Sequence, residues 1–432
     1  MADRRITVDY LPRVEGEGAL RVRLVDDHVA EVQLNIFEPP RFFEAFLRGR
    51  GVQETVDITA RICGICPVAY QMSAAHALEK ALSVTPPPGV RELRRLLYCG
   101  EWIESHVLHV FMLHAPDFLG YESSISMAAE PALRPVVERA LRMKKIGNHL
   151  VTVIGGREVH PVSACVGGFY RAPRRSDLAA LLPDLEWGLE HAVETVRWAA
   201  TLDYPDFVAD YEFVAVSHPS EYPMNEGRIV SSKGVDIAME EFETAFREEH
   251  VAHSNALHCV RAETGTSYMV GPLARLNLNF DRLSPAAQAV SREIGLATPV
   301  RNPFMSLLAR AIETVHAFDE AIALIKAYER PEPPRAEAVP RAGEGAHATE
   351  APRGLLYHRY AVGADGLIAE ARIVPPTAQN QRRMEDDLWQ YVPGILGLPH
   401  ETATLRCEQL VRSYDPCISC ATHFLRLQVE RV

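Results

Sequence analysis

Arg61-Ile62-Cys63-Gly64-Ile65-Cys66-Pro67 stands near the start of the chain, and Asp415-Pro416-Cys417-Ile418-Ser419-Cys420-Ala421-Thr422-His423 stands near its end. Each stretch carries two cysteines three positions apart, close enough for both sulfurs to reach one metal through a tight turn. Together they offer four thiolates, a soft donor set suited to zinc, iron–sulfur or nickel. The 351 positions from Cys66 to Cys417 far exceed the roughly 12–20 residues between the halves of a small zinc module. A metal held this way joins the two chain ends. A thioredoxin-like pair needs its CxxC at the start of a helix in a βαβ unit, and neither motif has that setting. Iron–sulfur runs generally keep three cysteines close together. Spacing alone predicts a metal site and leaves zinc and a redox metal both open.

The surrounding chain has 432 residues, 47% hydrophobic and 24% charged. That balance supports a large core and argues against disorder, collagen-like repeats and a membrane protein. Lys and Arg number 45 against 57 Asp and Glu, a formal charge of −12. Nucleic acid and anionic lipid are poor partners for such a chain, because phosphate binding requires clustered cations. The basic pieces at 91–95 and 171–175 hold only three cations each. The N-terminus lacks the apolar core of a secretory signal. No run of about 18 apolar residues occurs, so no membrane segment is expected and the location is read as cytoplasmic. Eight cysteines are too sparse for a disulfide scaffold. Four of them, Cys99, Cys165, Cys259 and Cys407, lie singly in apolar contexts and read as buried small hydrophobes.

Residues 4–36 alternate as strands, with Asp26-Asp27 as a turn. From about Arg41 the period becomes helical. Long helices are predicted over 91–114, 178–202, 235–263 and 303–329. His160-Pro161 through Gly167-Gly168 reads as a loop. His106 and His109, on the first long helix, read as core histidines. The Pro-, Ala- and Glu-rich stretch 330–354 reads as a surface loop, and 354–374 as a strand pair turning at Gly363–Gly366. The expected fold class is α+β and mostly helical. A central bundle of long helices carries small antiparallel sheets near the N- and C-termini, with the active site between the two CxxC loops. One domain, 1–432, is expected.

The flanking residues add a resemblance. Arg-Ile-Cys-Gly-Ile-Cys-Pro and Asp-Pro-Cys-x-x-Cys-x-x-His resemble the paired signatures of nickel–iron hydrogenase large subunits. Arg13-Val14-Glu15-Gly16 looks like that family's N-terminal motif. Gly155-Gly156-Arg157-x-x-His160-Pro161, Glu350-Ala351-Pro352-Arg353-Gly354 and Pro376-Thr377-x-x-Asn380 are similar to later elements, in family order.

The resemblance implies a subunit that splits H2 reversibly into protons and electrons. Cys63 and Cys417 would be terminal nickel ligands, while Cys66 and Cys420 would bridge to an iron carrying CO and cyanide. Glu15 would relay protons as a general acid–base group, and Arg353 would lie over the metals as a fixed charge. Glu44, His423 and a backbone carbonyl near Gln381 would ligate a structural Mg2+. Electrons would pass to a small subunit with Fe–S clusters, then through flavin and Fe–S subunits to NAD(P) or sulfur. A maturation endopeptidase and nickel-loading proteins are further implied partners, with 424–432 as a cleavable tail. Glu17, Tyr70 and Ser105 depart from the better-known membrane-linked members. Ser105 replaces an aspartate there, which leaves the arginine less neutralised. Cys-Pro-Val-Ala-Tyr-Gln-Met-Ser-Ala and the short length look more like the cytoplasmic NAD(P)-linked branch. No glycine-rich dinucleotide fingerprint occurs, so a nicotinamide site would lie on a partner. Two other functions compete: a complex I-type quinone-binding subunit, which lacks the four cysteines, and a zinc-stabilised assembly protein.

Overall fold

Ile6, Val8, Leu20, Val22 and Leu24 alternate with polar residues and are buried, as half-covered strands require. In the computed structural model, which describes residues 3–422, strands Asp3–Val8, Gly18–Val25 and His28–Ile36 form an antiparallel sheet in that order. Asp26 and Asp27 both take positive φ, 49° and 62°, the geometry a two-residue hairpin turn demands.

The helices Val90–Val107, Arg134–Gly155, Leu182–Ala199 and Ser306–Lys326 pack together as the central bundle. The first continues through a π-helical stretch, Leu108–His114. The predicted 178–202 helix begins at Leu182 because Pro183, in its first turn, starts a new helix there. Gly100 and Gly147 meet where the first two helices cross. A Cβ on Gly147 would lie 2.8 Å from the Gly100 carbonyl oxygen, so the approach depends on glycine. The helix Pro67–Leu82 is buried on nearly every side, as an all-round apolar helix must be. It lies on an antiparallel sheet of Gly343–Ala351, Gly354–Val362 and Ile368–Val374.

Two expectations fail. The predicted helix over 235–263 is instead Asp236–Ile237, the single turn Phe242–Ala245, and the strand pair Phe246–Glu249 and His258–Arg261. Val235, Met239, Phe242 and Phe246 mimic a helical stripe, but they cap a separate core cluster with Val214, Ile229, Val270 and Tyr357. The second failure is the surface loop over 330–354. Its last part is the strand Gly343–Ala351, buried from Gly345 on. Gly345 belongs there because a Cβ would come within 2.1 Å of the Ala77 carbonyl oxygen, so small residues mark tight packing and not a linker.

One large core cluster runs from Ile6 and Leu20 through Trp102 and Ile312 to Cys63, Cys66, Cys417 and Cys420. Both cysteine pairs are therefore walls of the main core. Cys99, Cys165, Cys259 and Cys407 are buried, as expected.

Candidate metal centre

The first cysteine loop is shaped by what precedes and follows it. The short 3-10 turn Ala60–Ile62 ends in an extended Cys63, and Cys66 leads directly into Pro67–Leu82. Pro67 suits that position because the first helical residue needs no amide partner. The Ile65 and Cys66 amides approach Cys63 Sγ at 3.3 and 3.4 Å. The next two amides, Val68 and Ala69, lack helical acceptors and donate to the Glu101 carboxylate at 2.6 and 3.1 Å. Burial, and then the neighbouring Glu104, push the Glu101 carboxyl well above its ordinary value.

The second loop turns at Asp415, whose φ is 54°. The Cys417 amide donates to Thr377 Oγ1 at 3.0 Å, at the start of the helix Pro376–Ile395. Glu15 then reaches across from the N-terminus. Its carbonyl accepts from the Ile418 amide at 2.8 Å, and its Oε2 accepts from the Ser419 amide at 3.1 Å. The same oxygen lies 3.0 Å from Cys417 Sγ.

The two loops bring the sulfurs together. Cys63 Sγ lies 3.6 Å from Cys417 Sγ, and the sulfurs of Cys63, Cys66 and Cys420 lie within 4.8 Å of one another. All four residues are between 1% and 4% exposed. The Cys417 and Cys420 sulfurs lie against each other as well, so all four sulfurs share one pocket. The hydrogen bond from Cys66 lowers the Cys63 thiol below its ordinary value against the effect of burial, and Arg353 assists; Cys66 is pushed well up.

Arg353 occupies the two-residue turn between Gly343–Ala351 and Gly354–Val362 and is 2% exposed. Its Nε donates to the Asp415 carbonyl at 2.8 Å and its Nη2 to Asp415 Oδ1 at 3.1 Å. Burial opposes its charge, yet Asp415 and the thiols Cys66 and Cys63 raise its pKa above the ordinary value. Asp415 is thus the carboxylate paired with Arg353, while Nη1 of the arginine has no hydrogen-bond partner among the described residues. Ser105 itself is buried with no hydrogen-bond partner for its hydroxyl among the described residues. Behind the turn, the fully buried Arg275 donates to the carbonyls of Ala351 and Pro352 at 2.8 and 2.9 Å and pairs with Glu313 and Glu350. Such a network fixes where the Arg353 fork points.

Arg41 and Glu101 were not singled out by the sequence, and Asp415 and Thr377 stood in the quoted motifs without a role of their own. Arg41 is the most consequential. Its Nη2 donates to the Ile62 carbonyl at 2.8 Å and also to the Ser419 carbonyl. One guanidinium thus spans the residue before Cys63 and the residue before Cys420. Nothing local in Pro39-Pro40-Arg41 signals that role, which depends on two segments far away in sequence.

The expected Mg2+ ligands are less completely described. Glu44 lies in the short helix Phe43–Leu47 and accepts from the Ile373 amide at 2.8 Å. Gln381 is fully buried in Pro376–Ile395, with neither side-chain polar atom hydrogen-bonded among the described residues. His423 lies outside the described residues, as does the tail 424–432. His109, on the π-helical stretch, is a buried core histidine, with Nε2 2.8 Å from the Arg412 carbonyl and Nδ1 without a hydrogen-bond partner among the described residues.

The donor set fits a soft redox metal: four buried sulfurs, a carboxylate beside one of them, and a buried cation whose Nη1 has no hydrogen-bond partner among the described residues. Among the described residues, no helix is long and apolar enough to cross a membrane.

Comparison with known proteins agrees with this geometry. The profile of the nickel-dependent hydrogenase family matches residues 41–134 and 261–423. Sulfhydrogenase 1 subunit alpha of Pyrococcus furiosus is 35% identical, covering 98% of this chain and 98% of that one. NAD-reducing hydrogenase HoxS subunit beta of Cupriavidus necator is 27% identical over 98% of this chain and 95% of its own length. A crystal structure of an NAD+-reducing [NiFe]-hydrogenase in the H2-reduced state superposes with a TM-score of 0.83 and 28% identity, covering 97% of this chain and 99% of that one. The chain belongs to the nickel-dependent hydrogenase large-subunit family, whose members cleave H2 at a Ni–Fe site.

Proposed function

We propose that Cys63, Cys66, Cys417 and Cys420 are the ligands of the Ni–Fe centre, Cys63 and Cys417 terminal on nickel, Cys66 and Cys420 bridging to an iron that carries CO and cyanide. The observation that supports this is the convergence of two buried cysteine pairs from opposite chain ends beside Glu15 and Arg353. When bound, the centre supplies heterolysis of H2, which overall yields two protons and two electrons.

The chain's own residues govern what surrounds that chemistry. Glu15 takes up a proton at Oε2, 3.0 Å from Cys417 Sγ, and releases it outward, because its side chain reaches the partly exposed rim. Arg353, fixed by Asp415, presents a permanent positive charge to the pocket. Glu44, a backbone carbonyl near Gln381 and His423 are proposed to hold Mg2+ near the C-terminus.

The electrons are proposed to pass to a small subunit with Fe–S clusters, and through flavin-bearing partners to NAD(P) or sulfur. The likeness to a sulfhydrogenase and to NAD-reducing hydrogenases supports this branch. A cytoplasmic location accords with it. Nickel-loading proteins and an endopeptidase removing 424–432 complete the proposal.

The test is metal analysis with infrared spectroscopy of the purified complex. Equimolar nickel and iron, bands of bound CO and cyanide, and H2-dependent reduction of NAD(P) or sulfur are expected. Zinc alone, without such bands and without H2-dependent dye reduction, overturns the ligand assignment. An intact Val432 in the mass of the active enzyme overturns the removal of the tail.

A further inference from the structure

Outside the cysteine pocket, a second set of metal-type donors comes together. His253, His258 and Glu385 offer ligand atoms that all lie within 4.8 Å of one another. They come from three separate elements: the segment between Phe246–Glu249 and His258–Arg261, the first residue of the latter strand, and the helix Pro376–Ile395. Glu385 Oε1 accepts from the Leu34 amide at 2.8 Å and lies 2.7 Å from His253 Nε2. Its Oε2 faces His258 Nδ1 across 3.9 Å, too far for a hydrogen bond. His258 is 2% exposed, and its Nε2 has no hydrogen-bond partner among the described residues. The nitrogen that faces the carboxylate is therefore Nδ1, held near Glu385 and His253 without a hydrogen bond to either.

We propose that His253, His258 and Glu385 form a second metal site, for a divalent cation of the zinc class, separate from the cysteine centre. Two imidazoles and one carboxylate are a three-ligand set that zinc accepts with water in the fourth position. Metal–ligand distances of about 2.0–2.1 Å place tetrahedral ligand atoms roughly 3.3–3.5 Å apart. The 3.9 Å His258–Glu385 gap closes, and the 2.7 Å His253–Glu385 contact opens, by shifts of about half an ångström or a little more, the latter taken up by the loop-borne His253. Water enters from a groove of about 330 Å³ between His28–Ile36 and the helix, lined by Val32, Gln33 and Trp389. Arg382, which would repel a cation, is engaged by Asp386 at 3.0 Å. The Leu34 amide on Glu385 is the kind of outer contact that orients a metal ligand.

Such an ion would pin the N-terminal sheet and a strand hairpin to the helix whose first turn, through Thr377, receives the Cys417 amide. Thr377 and Glu385 are about 12 Å apart along that helix at 1.5 Å per residue.

The test uses the nickel- and iron-loaded holoenzyme, equilibrated with Zn2+ alone and, separately, with Co2+ alone. Expected are one equivalent of zinc beyond the nickel and iron, and a visible cobalt absorption of four-coordinate N/O type. His258→Ala and Glu385→Gln should each weaken zinc binding at least tenfold while the infrared bands of the iron's diatomic ligands stay unchanged. Those bands separate failure of this site from failure of the cysteine centre. If Glu385→Gln does not fold, His253→Ala, in the partly exposed segment, carries the test alone. No zinc bound beyond nickel and iron, or equal affinity in the parent and the variants, overturns the proposal.

Discussion

Arg353 donates from Nε to the Asp415 carbonyl at 2.8 Å and from Nη2 to the Asp415 carboxylate at 3.1 Å, joining the tip of the C-terminal hairpin to the loop that carries Cys417. Both residues are at most 3% exposed, so this fork operates in a setting where charge-assisted hydrogen bonds are strongest. Lysine keeps the charge and loses the fork. Arg353→Lys is expected to lower H2-dependent dye reduction about 100-fold, on the order of the 1.5–3 kcal/mol of one charged hydrogen bond, with metal content retained. Wild-type turnover in that variant would show that the charge alone suffices.

Glu15→Gln preserves an acceptor for the Ser419 amide and removes the group that takes a proton. Nickel and iron content should be unchanged, while hydrogen–deuterium exchange with H2 falls at least about 100-fold, the usual weight of a general acid–base group. Undiminished exchange would remove Glu15 from the proton path.

Arg41→Ala deletes both bonds that tie Ile62 and Ser419 together. The expected result is reduced metal loading and a loss of roughly 3 kcal/mol of stability, from two charged hydrogen bonds to carbonyls. Arg41→Lys should recover part of the loading. Full loading and unchanged thermal unfolding of the alanine variant would show the loops stay joined without it.

His316 supplies a pH dependence away from the metals. Burial, the largest influence, lowers its pKa from 6.5 to about 4, and its Nδ1 accepts from the Ser284 amide at 3.1 Å. The folded state therefore binds fewer protons than the unfolded state between those values. The contribution is fully present above pH 6.5 and is lost as pH falls through about 4. It amounts to at most about 3 kcal/mol at 1.36 kcal/mol per unit. His316→Asn should narrow its stability deficit against the parent as pH drops from 7 to 4, measured by denaturant unfolding. A deficit independent of pH would rule out the titration.

The site was legible where a residue's chemistry is local. Cys63, Cys66, Cys417, Cys420 and Glu15 stand in short motifs, and the structure brings those motifs together. The long helices were legible because apolar residues recur on one face. What failed was composition read without tertiary context. Gly345 looked like linker and is a strand packed on Ala77. Phe242 and Phe246 looked helical and flank the start of a strand. Arg41 and the pairing of Arg353 with Asp415 were invisible because each joins segments distant in sequence, and no local pattern encodes such a meeting.

The wide separation of the cysteine pairs also sets an order of birth. Cys417 leaves the ribosome 351 residues after Cys66, roughly 18–70 s later at about 5–20 residues per second. Until then Glu101 can hold the first loop ready, since the Val68 and Ala69 amides it receives belong to the early half of the chain. Arg41 and Glu15, also made early, wait for Ser419. The four-sulfur pocket is thus complete only once Cys420 has been made, and the last segment shuts like a latch on a half-socket already cast.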